Sequence, residues 1–206
     1  MDVLDLEPIN EKKVFLFLLV KEKTGIFNTE AINLLDLFRE NKFDLITSDL
    51  DTENKFNMKI TKYLDDFEMH VFKVGIPENA NGYLKEELDR KKCLMKELAD
   101  VYEILEDKKS FKAQNIKVWI DLLKDDIEKE EYELDFKIRP QWIMKKFLDF
   151  IRKTDQAVIK LLHFTSEGLF DELKNLGKEM NMTVYAFEIM EPEISKKWVL
   201  YPKCMK

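Results

Sequence analysis

With 206 residues, 45% of them apolar and 36% charged, the chain has the length and balance of a soluble globular protein able to bury a core. Five glycines and two histidines leave no GxGxxG or GxxxxGK[ST] string. This excludes the common phosphate-cradling loops, whose backbone N–H groups must approach an anion without a Cβ in the way. The net charge of -7 divides unevenly, with 32 acids against 22 bases in residues 1–137 and 9 against 12 in residues 138–206.

The longest apolar run, Val14 to Val20, is far shorter than the roughly 20 residues a membrane-spanning helix needs, and the acids Asp2, Asp5 and Glu7 precede it. A cytoplasmic protein with no membrane anchor is expected. Cys93 and Cys204 are too far apart in sequence to suggest a disulfide framework or a CxxC metal site.

In chain order, Lys13 to Val20 reads as a strand covered on both faces, because a short Val, Phe and Leu run bounded by charges suits a buried strand. A helix capped by Asn28 follows and ends near Asn41. Phe43 to Thr47 reads as a second strand, and Phe56, Met58 and Ile60 alternate as a third. Residues 56–68 fit helix or strand, and Glu68 to Val74 fits a returning hairpin strand. Pro77 to Gly82 marks a break, since proline ends pairing and Asn-Gly accepts positive φ.

Beyond the break, Leu84, Leu88, Lys91, Met95, Leu98 and Tyr102 keep 4,3 spacing, and Ile116, Ile120, Leu123 and Ile127 form a matching stripe, predicting an αα-hairpin. Tyr132, Leu134, Phe136 and Ile138 then alternate with charges as a strand, before a helix opened by Pro140. Ala157 to Phe164 is a strand, Glu167 to Met180 a helix and Thr183 to Ile189 a strand. The expected fold class is α+β, with α/β as its variant: a mixed sheet with a C-terminal β-α-β-α-β unit and an inserted helical hairpin. One domain spans 1–206, comprising an N-terminal β/α part (1–78), the hairpin (79–130) and the β-α-β-α-β part with its tail (131–206).

Three places carry candidate chemistry. Period 2 puts Glu133, Asp135 and Lys137 on the polar face of one strand, where two carboxylates hold a hard cation and a lysine stabilises developing charge. In Asp135-Phe136-Lys137 and the helix and strand that follow, the chain resembles the PD-(D/E)xK nucleases. The resemblance implies Mg²⁺-dependent cleavage of nucleic acid. The family's upstream Pro-Asp has no counterpart here, and Asp125 or Asp126 would have to substitute from a helix. The second place is His163-Phe164-Thr165-Ser166, where a strand ends and a helix begins, with His163 as candidate acid or base and Thr165 or Ser166 as cap. His70 has no visible partner, and Ser48, Ser110, Ser166 and Ser195 lie in no nucleophile-elbow motif. The third is the tail, where Lys196, Lys197, Trp198 and Tyr201 combine basic and aromatic chemistry suited to a partner.

No convergent catalytic set emerges. The leading expectation is a non-enzymatic protein-interaction or regulatory subunit, needing no cofactor, whose hairpin, acidic stretch and tail dock a protein partner. Nucleic acid through the C-terminal third and homo-oligomerisation stay open. The alternatives are the Mg²⁺-dependent nuclease and an acidic inhibitor or immunity-type binder of a basic groove.

Overall fold

The structure is a computed structural model and describes residues 4, 6–21, 32–33, 37–38, 40–50, 69–190 and 199–202. The chain divides into two compact units, one formed by residues 1–75 with 140–206 and the other by residues 76–139. No helix among the described residues is long and apolar enough to cross a membrane.

The first unit is built on a mixed seven-stranded sheet. Its strands are β1 (Lys13–Lys21), β2 (Ile32–Asn33), β3 (Leu45–Ser48), β4 (Phe72–Lys73), β5 (Val158–Thr165), β6 (Thr183–Met190) and β7 (Val199–Pro202). They lie in the order β2-β7-β6-β1-β5-β3-β4. The five from β6 to β4 run parallel, and β7 is antiparallel to both β6 and β2. β1 is central, as its uninterrupted apolar run requires, and its side chains alternate between two cores. Val14, Leu16, Leu18 and Val20 enter one layer, while Phe17 and Leu19 enter the other.

The first layer is covered by two helices, α3 (Arg139–Lys153) and α4 (Glu167–Glu179), through side chains such as Ile143, Phe147, Leu169 and Leu173. The second is covered by Leu37 and Phe38, which are helical, and by Leu50. α4 approaches the sheet closely at Gly177, where a Cβ would sit 2.8 Å from Val184 Cγ2 and 3.1 Å from Leu16 Cδ2. It then stops in a Schellman turn: Asn181 takes φ 62°, Met182 N–H donates to Gly177 O and Asn181 N–H to Lys178 O. This turn aims the chain back along the sheet as β6.

The second unit is a helical hairpin of α1 (Glu78–Glu103) and α2 (Phe111–Tyr132). The residues at 4,3 spacing form its seam: Leu88, Ala113 and Ile127 are buried, and Lys91, Met95, Leu98, Ile120 and Leu123 are half-buried. Ser110 caps α2 by accepting the Ala113 N–H at 3.2 Å.

Two sequence expectations are overturned locally, although the fold class stands. The break at Pro77 to Gly82 is the first turn of α1: Pro77 occupies the N-cap position, where its missing N–H costs nothing, and Gly82 has no positive φ. Residues 131–138 do not form a strand. α2 passes into a π-helical turn, Glu133–Ile138, and then into α3 without an intervening loop. The cause lies at Pro140, which cannot donate to the Phe136 carbonyl and whose ring crowds it. Arg139 N–H bonds instead to Leu134 O, five residues back, which is the π pattern. The C-terminal β-α-β-α-β unit therefore lacks its first strand and begins with helix α3.

Of the strand expected at Glu68 to Val74, the described residues show β4, which pairs parallel to β3; the hairpin partner expected at 56–60 lies outside the described residues. The helix start at Asn28 and the ambiguous 56–68 segment lie outside the described residues.

Candidate functional site

At the carboxyl ends of β3 and β5 a group of polar side chains is enclosed between the sheet and α3. Thr47 pairs with His163 across the two strands. Thr47, Asp49 and His163 are 1%, 2% and 0% exposed. Thr47 Oγ1 lies 2.9 Å from His163 Nδ1 and 3.3 Å from the Leu162 carbonyl, and His163 Nε2 lies 3.5 Å from Asp49 Oδ1. The Phe147 ring meets the imidazole edge-on at 5.2 Å between centroids.

The threonine hydroxyl has one proton to give. If it goes to Nδ1, the imidazole is neutral with its proton on Nε2. If it goes to Leu162 O, Nδ1–H donates to Thr47, and an imidazolium keeps a proton between Nε2 and the carboxylate. The Thr47–His163 hydrogen bond thus ties β3 to β5, with the Asp49 carboxylate buried beside Nε2. Ser48 Oγ accepts the Leu50 N–H at 3.2 Å and fixes the chain just beyond the strand.

His163 thus lies at the strand end expected from its sequence, but its partners Thr47 and Asp49 were missed. Their sequence signal is a carboxylate immediately following the apolar Leu45–Ser48 segment. Ser166 sits at the N-cap position of α4, yet its hydroxyl makes no cap hydrogen bond. Thr165 is buried, and its hydroxyl lies 3.5 Å from the Ser166 carbonyl. His70 is exposed.

The triad Glu133, Asp135 and Lys137 does not share a strand face, because these residues form the π turn. Two positions on a helix are separated by roughly 160–200° of rotation, so Asp135 leaves the side that carries Glu133. Glu133 and Lys137, four apart, meet at 3.5 Å as an exposed ion pair. Asp125 and Asp126 lie on α2, and Asp126 is engaged by Lys91. Among the described residues no group of three or more His, Cys, Asp or Glu side chains is arranged to hold a metal ion.

In the tail, Tyr201 belongs to β7, whose backbone is paired on one side with β6 and on the other with β2. Lys196, Lys197 and Trp198 lie outside the described residues.

The hairpin presents a different surface. Nine of the twelve large hydrophobic side chains exposed among the described residues belong to residues 76–139. With the seam written as heptad positions a and d, two ion pairs identify the flanks of this antiparallel pair. Lys92 and Glu131, both at e, meet at 2.6 Å on one side. Lys91, at d, reaches across to Asp126, at g, on the other.

The e and b positions are almost wholly charged or polar, as in Lys85, Asp89, Lys96, Lys117, Asp121 and Lys124. The g and c positions mix charged residues such as Glu87, Arg90, Glu97, Lys112 and Lys129 with Leu94, Val101, Ile104, Trp119 and Leu122, all five exposed, Ile104 at 79% and Trp119 at 61%. One flank is solvated in the ordinary way, and the other carries exposed apolar side chains interspersed with charges. At the base of that second flank, between Tyr83, Glu87, Arg90, Glu130 and Glu133, lies a cleft of about 440 Å³ floored by Leu84, Leu88 and Leu134.

Charge stabilises the seam from within. Lys91 is held above the ordinary lysine range by its hydrogen bonds to Asp126 and Glu130, and the Asp126 carboxyl is held below its usual range by Lys91. Lys92 is raised in the same sense by Glu131. Comparison with protein-family models, with curated proteins and with solved structures finds no match to this chain.

Proposed function

We propose that this is a non-enzymatic interaction protein that docks through the apolar flank of its helical hairpin. The observation carrying this reading is the concentration of exposed apolar side chains on one side of the hairpin, opposite a flank built from charges. Exposed apolar surface of this kind is what association covers, and large aromatics such as Trp119 dominate interface energetics.

The test places a photo-crosslinking amino acid at Trp119 and, as a control, at Lys117 on the charged flank. Irradiation in the native lysate is expected to give a discrete adduct from position 119 and none from position 117. Equal adducts from both positions, or none from either, would remove the docking reading.

A further inference from the structure

We draw no further inference here: the strongest candidate, the cluster of buried polar side chains Thr47, Ser48, Asp49, His163 and Thr165 at the carboxyl ends of β3 and β5, is enclosed within the body, and the residues that follow β1 and Leu50 in the chain lie outside the described residues, so nothing in the structure shows what ligand that end of the sheet would take.

Discussion

In the sheet body the side chains of β1 alternate into two apolar layers, whereas in the hairpin apolar side chains just off the seam, such as Leu94, Val101, Trp119 and Leu122, are left in solvent. Both regions are rich in Leu, Ile and aromatic residues, so composition does not separate them. The body gathers its apolar surface from segments distant in sequence and covers both faces of a central strand. A two-helix hairpin has one seam, and a second stripe on it has nothing of its own unit to cover it. Surplus apolar surface is thus a consequence of an architecture with too few layers, and association is the ordinary way to cover it.

The contrast can be broken hardest inside the body. His163→Ala should destabilise the first unit by about 3–5 kcal/mol, because it strands a buried carboxylate and opens a space beside Phe147. Urea denaturation would show the lowered midpoint, and a change under about 1 kcal/mol would mean that the Thr47–His163 hydrogen bond does not hold β3 to β5.

Gly177→Ala is the next largest effect. Overpacking against Val184 costs about 1–3 kcal/mol, and the gain in helix propensity returns about 1. A net loss near 1 kcal/mol is expected, and a gain in stability would show that α4 has room to move off the sheet.

Acid sharpens the comparison from the hairpin side. Since the folded Asp126 carboxyl is held below its ordinary value, its contribution is present above about pH 4 and is lost as the pH falls through the lowered value. Hydrogen-exchange protection factors in α1 and α2, corrected for the intrinsic rate at each pH, should fall on acidification, and this fall should shrink in Lys91→Met, which has no cation to hold Asp126.

The smallest effect on folding belongs to Trp119→Glu. As a change to an exposed side chain, it should alter stability by less than about 0.5 kcal/mol while weakening association severalfold or more. A large loss of stability would mean that Trp119 packs within its own hairpin.

The sequence revealed these features unequally. β1, β5, α4 and β6 were legible because each is a single uninterrupted apolar run or a helical stripe between clear stops. The seam of the hairpin was legible because 4,3 spacing needs no knowledge of the partner. The alternation from Tyr132 to Ile138 misled because period 2 is also a pattern a helix can carry, and only the effect of Pro140 on the Phe136 carbonyl decides the matter. Asp49 could not be matched to His163 because that pairing is created by strand order, which hydrophobic pattern does not encode. The apolar flank was overlooked for another reason: Leu94, Val101, Trp119 and Leu122 are visible as residues, but their shared side appears only once the seam fixes the g and c positions.

The place of β1 at the centre of the sheet also governs the order in which the molecule can assemble. Its neighbours β5 and β6 begin at Val158 and Thr183, so Lys13 must wait for most of the chain before it finds the strand that pairs with it. The hairpin closes between neighbours such as Lys92 and Glu131 and can form while the chain is still being made. During synthesis the aromatic and aliphatic run from Val14 to Val20 is therefore a long-lived unpaired strand, and aggregation competes with folding chiefly through that segment.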